Sequence, residues 1–336
     1  METDEMQTRS LSRSQLLPAW LIFLLRRLLF IAGVAFVIVY FCILGLRLSF
    51  HSATSDSTLH RTWELAGPTL KETGAFFGNL WRGELGYVYE GVLERTRLPV
   101  MAMVIDAYRQ SMWLLLVSIA AAAVIGIVAG GLAAARRHTP LALPTLTLTV
   151  IGISIPSFFL ALLFRVADIR FYQRTGIGLF PVFGISEHRT ASLLPQVVAP
   201  ALVLAARPVA HIARVTFVSL SDILGQEFIR TARAKGVHPT AVFWKHGVRN
   251  AGVSILTALV VSLRFALGSL PVVEIFFQWP GMGVATLEGI FRRDTAAVPA
   301  LALALGITLM LINLGLGMVY RFIDPRLRAE TDGGAA

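Results

Sequence analysis

Four ionisable side chains stand where a water-facing protein would not strand them. Arg207, His211 and Arg264 fall inside long apolar runs, and Glu274 closes another. A charge at the centre of a bilayer costs about 2.5–3.5 kcal/mol on insertion scales, so such groups face water, a partner or one another rather than lipid. Two readings stay open for them: the polar wall of a path across a membrane, or a structural ion pair with Glu274 as its acid. Reaction chemistry has no comparable set of residues. No phosphate-cradling G-x-x-x-x-G-K-[ST] occurs. No H-E-x-x-H and no pair of cysteines offers a metal site. The histidines (His51, His60, His138, His188, His211, His238, His246) are scattered, and Ser219 and Ser221 lack a G-x-S-x-G elbow. The chain is expected to be non-catalytic and to hold no metal, so any energy for movement comes from a gradient or from a partner.

Composition says where these residues live. Of 336 residues, 55% are apolar and 15% charged, and the mean hydropathy is +0.69. Soluble domains carry about 25% charged residues. Disorder is excluded by the apolar content, and a disulfide scaffold by the single Cys42. An integral membrane protein remains. The net charge of +10 comes from 30 basic residues, of which only Lys71, Lys235 and Lys245 are lysines. Nucleic-acid binding would need a basic face with aromatic platforms or a known module, and none is present.

A helix needs about 20 apolar residues to cross hydrocarbon. Six stretches fit: Leu28–Leu46, Met112–Ala135, Leu143–Phe164, Leu194–Phe217, Ala251–Val273 and Val298–Tyr320. The first has 19 apolar residues and no small-x-small site after Leu46, so it is expected to stay as a helix rather than be removed as a leader. An even number of spans puts both tails, 1–27 and 321–336, on one side. Loops longer than about 60 residues do not report orientation. With the loop 47–111 set aside, basic residues divide 15 to 6 in favour of tails in the cytoplasm. Most of these cations make a positive-inside collar.

The segment 221–250 then lies on the cytoplasmic side and reads as two short helices broken at Gly236. Ser221 or Asp222 can cap the first. Leu224, Phe228 and Ala232 form an apolar stripe, with Gln226, Arg230 and Arg233 on another face. Arg233 and Lys235 suit the last turn, Gly236 a left-handed stop, and Pro239 the first turn of the second helix, on which Val242, Phe243 and His246 follow. The pattern fits a helix lying on the membrane surface and equally a docking element that presents Glu227, Arg230 and Thr231 to a protein. Trp279-Pro280-Gly281 marks a turn, either packing of an outer loop or a gate or contact for a partner.

Residues Glu227–Asn250 (EFIRTARAKGVHPTAVFWKHGVRN) resemble the cytoplasmic signature loop of ABC importer permeases of the dipeptide/oligopeptide/nickel type. Gly236 lies 100 residues before the last residue, where that family places it. Gly83–Gly86, Ser154–Phe158, Val273–Gly283 and Asp324–Arg328 are similar to further motifs of the family, and the long segment before the second span resembles the B-type subunit. Departures are Arg230-Thr231-Ala232 for the general Glu-Ala-Ala (the peptide branch reads as here), His238-Pro239 for Ser-Glu, an N-terminal extension, the charged Arg165, Asp168 and Arg170, and Arg264 at a position that is usually small.

The resemblance implies an all-α type I importer fold with six transmembrane helices over 28–320, in the inner membrane of a bacterium or archaeon. It implies a homologous second permease forming a heterodimer, two cytoplasmic ATPase subunits that bind ATP and Mg, and an extracytoplasmic solute-binding protein. Glu227, Arg230, Thr231, Ala232, Arg233, Lys235 and Gly236 would form the coupling helix. Arg207, His211, Arg264 and Glu274 would be candidates for the path, and Trp279, Pro280 and Gly281 for an outer gate or binding-protein contact. The solute would be a peptide or similar small polar molecule. A gradient-driven secondary carrier is the competing class. It calls for inverted repeats and coupling acids within spans, where only Glu274 offers itself and no repeat is visible.

Overall fold

The computed structural model of the chain describes residues 19–50, 58–90, 96–137, 139, 142–176, 178 and 193–323. The ends of both tails, most of the segment after residue 176 and the Asp324–Arg328 motif lie outside the described residues. The chain divides into two compact units at Gly78–Asn79.

The first unit holds α1 (Ala19–Phe50) and most of α2 (Thr58–Arg82). α1 overruns the apolar stretch Leu28–Leu46 at both ends; within hydrocarbon its backbone stays hydrogen-bonded within its own segment. The two helices meet through an ion pair between Arg47 and Glu72 and through Phe36 stacked on Phe77, ring centroids 6.1 Å apart. The segment 47–111, expected as an outer loop, is therefore far from irregular. Its helix α2 is amphipathic and exposes Trp63 and Trp81 near its ends, the residue type that favours a membrane–water boundary.

The second unit takes in the end of α2 and then an antiparallel strand pair, β1 (Tyr87–Glu90) against β2 (Thr96–Pro99). It runs straight into α3 (Val100–Ala135). Then come α4 (Ala142–Ser154), α5 (Ser157–Thr175), α6 (Leu193–Leu224), α7 (Glu227–Ala234), α8 (Pro239–Ala241), a π-helical segment (Val242–Val248), α9 (Arg249–Phe277), α10 (Met282–Phe291) and α11 (Ala297–Ile323). Among the described residues, five helical stretches are single, long and apolar enough to span a bilayer: within α1, α3, α6, the run Pro239–Phe277, and α11. The sixth expected span, Leu143–Phe164, is a bent pair. α4 and α5 meet at 98° across Ile155-Pro156, because proline cannot donate to the helix ladder and displaces the residue before it from helical geometry.

Packing centres on α3 against α6. Gly126 and Gly130 let the backbones close up: a Cβ on Gly126 would strike Ile212 at 2.9 Å, and one on Gly130 would meet the Ala213 carbonyl and Thr216. Small residues four apart serve this purpose in membranes, where apolar contact with lipid is no worse than apolar contact with protein. Leu114, Leu204, Leu270 and Trp279 make the core where α3, α6 and α9 converge. Many large apolar side chains point outward instead, among them Leu116, Ile125, Val128 and Leu132 on α3. Ser111, Ser118, Ser262 and Glu274 are buried.

Candidate functional site

The stretch around Gly236 folds as a helix, a stop and a second helix. α7 is closed at its C-terminus by two bonds: Val237 N–H donates to the Ala232 carbonyl at 3.2 Å and Gly236 N–H to the Arg233 carbonyl at 3.0 Å. That double bond is the Schellman arrangement, and it requires the left-handed φ of +73° that Gly236 adopts. Pro239 opens the second helix, with His238 as its cap accepting from Thr240 N–H. The second helix does not stop before the span. Pro239 to Phe277 is a single run of 39 residues. The π-helical segment inside it presses Phe243 toward Gly131 at the end of α3, and sets Gly247 against Leu220 and Leu224 at the end of α6.

Three details differ from the expectation. Ser221 and Asp222 complete α6 and cap nothing; the cap of α7 is Gln226, without a side-chain bond. The anchor of α7 is Ile229, at 0% exposure, whereas Phe228 of the expected stripe is 41% exposed. The helix packs on the π segment, so its apolar side turns toward its own chain. Arg137 is more than a collar residue: its guanidinium donates to the carbonyls of Ser221 and Leu224. It thereby occupies the orphan acceptors that end α6 just before α7. A basic residue directly after an apolar helix was the only trace of this in the sequence.

Of the residues expected to dock, Glu227, Arg230, Thr231, Arg233, Lys235 and Gly236 are exposed and Ala232 is half-buried. Arg230 pairs with Glu227 at 2.9 Å, and the Thr231 hydroxyl donates to the Glu227 carbonyl at 3.1 Å. α7 is thus a stiff, polar projection carried on the ends of α6 and α9.

Glu274 sits at the opposite end of the same long helix, at 0% exposure. Its carboxylate accepts from the Ser111 hydroxyl at 2.5 Å and from Gly283 N–H at 2.6 Å. Ser111 in turn accepts from Met282 N–H at 2.8 Å. Trp279 N–H donates to the Glu274 carbonyl at 2.9 Å, while the Trp279 indole N–H donates to the Gln110 carbonyl at 3.1 Å. The Trp-Pro-Gly turn is therefore stitched to α3 and α9, and Trp279 is 1% exposed. Pro280 and Gly281 line an open cavity of about 460 Å³ together with Glu288, Arg292 and Asp294.

Arg207, His211 and Arg264 do not join Glu274. Among the described residues none of the three is in an ion pair. The Arg207 guanidinium lies 4.6 Å from the centre of the Phe265 ring, and His211 packs edge-on against the same ring at 5.6 Å. Arg264, one residue earlier on α9, is exposed. Arg207 also lines a cavity of about 190 Å³ at the α4–α5 break.

Several long apolar helices, with a stiff polar helix at one end of the Pro239–Phe277 run and a buried turn at the other, define a multi-pass membrane component. Residues 122–329 match the family model described as the binding-protein-dependent transport system inner membrane component, and the chain belongs to that family. Among curated relatives, the "Glutathione transport system permease protein GsiC" of Escherichia coli O6:H1 is 33% identical over 75% of this chain and 78% of its own length. Its counterpart in Escherichia coli K12 is 34% identical over 69% and 72%. The "Oligopeptide transport system permease protein AppB" of Bacillus subtilis is 29% identical over 75% and 78%. The chain is thus a multi-pass permease component, and the resemblance read in the sequence to the dipeptide/oligopeptide type agrees with these relatives.

Proposed function

We propose that this chain is one of two homologous permeases in an ATP-driven importer of peptides or similar small polar solutes, and that it docks an ATPase subunit through Glu227–Gly236. The tails and α7 face the cytoplasm; the turn at Trp279 faces the side from which a solute-binding protein delivers its load. The ATPase pair binds ATP and Mg, closes, and moves α7 as a rigid body. That displacement reaches the spans because the helix after Gly236 continues into α9 without a joint, and this continuity is the observation that carries the reading. A nucleotide can shift such a gate only through different affinity for its two states, so a floppy handle would transmit nothing. Glu274 holds two bonds to its own chain, which leaves a gradient-driven carrier without an open carboxylate among the candidates.

Gly236→Pro tests the docking role. Proline holds φ near −65°, against the +73° found here. The variant is expected to remain in the membrane yet lose peptide uptake and ligand-stimulated ATP hydrolysis in the purified complex. Wild-type uptake and stimulation in this variant would defeat the proposal.

A further inference from the structure

Two cavities follow one another along α6. The first, about 190 Å³, lies at the α4–α5 break, and its only ionisable lining residue is Arg207. The second, about 320 Å³, is open to the outside of this chain and lined by His211, Arg214, Val215, Val218 and Ser219. Arg207, His211 and Arg214 recur at spacings of four and three, which sets them on one face of the helix. They descend over about 10 Å, at 1.5 Å per residue. Arg264, next in sequence to Phe265 on α9, is exposed and lines neither cavity.

No carboxylate answers these charges from this chain's described spans. Glu274 is held by Ser111 and Gly283, Asp106 pairs with Arg109, and neither the buried Asp168 of α5 nor the exposed Asp222 near the end of α6 lines either cavity. Such a stripe is costly against lipid. It is stable where water and a partner subunit meet it, and a wall of one sign concentrates solutes of the other.

We infer that Arg207 and Arg214, with the His211 imidazole between them, form a cationic ladder on this chain's side of the translocation path, and that the solute it favours carries net negative charge: a small peptide with more carboxylates than amines. This rests on the importer reading above and adds the substrate class to it. Arg207, at mid-helix with its guanidinium braced on Phe265, is placed to take a carboxylate leaving the outer side. Arg214 is placed to receive it about two turns further on.

The test uses the complete complex, with its partner permease, ATPase subunits and binding protein, in proteoliposomes. The probes are three tripeptides of matched size: Ala-Glu-Ala, Ala-Gln-Ala and Ala-Lys-Ala. Each is supplied at saturating concentration, and uptake is expressed per ATP hydrolysed. The wild type is expected to carry Ala-Glu-Ala at least five-fold faster than Ala-Lys-Ala. Arg207→Glu with Arg214→Glu should abolish or invert that ratio, and Arg207→Lys should keep it. Equal uptake of the three peptides by the wild type overturns the ladder, as does a charge-reversed complex whose uptake falls equally for all three. Failure of the importer reading shows differently: no ATP-dependent uptake of any peptide by the wild-type complex.

Discussion

The two ends of the Pro239–Phe277 helix are held by opposite means. At one end α7 buries a single side chain, Ile229, and is shaped by backbone geometry: the left-handed Gly236, the double closing bond, and Pro239 opening the next helix. At the other end Ser111, Glu274 and Met282 have 0% exposure and Trp279 1%, and side-chain hydrogen bonds tie α3, α9 and the α10 entry together. A surface that must meet another protein leaves its polar groups outward and takes its stiffness from the main chain. A junction that must not open places its polar groups inside and satisfies each with another. The contrast predicts that damage at the second end is read as instability, and damage at the first as lost communication.

The largest effect on stability is expected from Glu274→Ala. It would leave the Ser111 hydroxyl and Gly283 N–H buried without their acceptor, and each such group costs about 1–3 kcal/mol. The vacated volume adds to this. The thermal midpoint of the detergent-purified protein should fall by many degrees, and protease should cut near Trp279. Glu274→Gln keeps an acceptor for Gly283 and should recover most of the loss. An alanine variant as stable as the wild type would mean that Trp279 packing alone closes the turn.

A smaller and local effect is expected from Ile229→Ala. Truncating a buried isoleucine costs about 2–5 kcal/mol, which exceeds what an eight-residue helix can spare on its own. Amide exchange should accelerate across Glu227–Ala234 and remain unchanged in α3, α6 and α9, while uptake falls. Faster exchange across the whole bundle would show that α7 is part of the core rather than a projection from it.

What the sequence disclosed follows the same division. Gly236 and Pro239 announce themselves because backbone punctuation is local, so the helix–stop–helix was legible residue by residue. The anchor was not. Leu224, Phe228 and Ala232 make as good a stripe as any, and only the π segment beneath α7 singles out Ile229. Glu274 was seen as a lone acid in an apolar run. Its partner Ser111 lies 163 positions away, a separation no local pattern spans, and the ion pair with Arg207 or Arg264, one of the two readings left open, gave way to neutral donors already at hand. Helix ends were misplaced in one direction: α3 starts at Val100 and not Met112, because hydrogen bonding continues after hydropathy falls. Pro156 stood inside the third expected span, yet whether a proline kinks or divides a helix is settled by neighbours. Gly126 and Gly130 passed as ordinary small residues until α6 lay against them.

The smallest effect on stability, and the sharpest separation of the two ends, is expected from Arg230→Glu. Its partner Glu227 is 85% exposed, and Arg230 itself 73%; an ion pair so open to water contributes little. Reversal sets two carboxylates three residues apart, a minor penalty on a helix surface. The melting midpoint, the amide exchange of α7 and the amount of protein in the membrane should stay at wild-type values. If this face seats in an ATPase cleft, however, the reversed charge meets groups arranged for a cation, in a site from which water is excluded. Like charges brought together at an interface cost several kcal/mol, so ATPase subunits should fail to co-purify and uptake should vanish. A variant that melts normally, keeps its ATPase subunits and transports normally would place the docking contact on another face of α7. One that unfolds would erase the distinction between the two ends of the long helix.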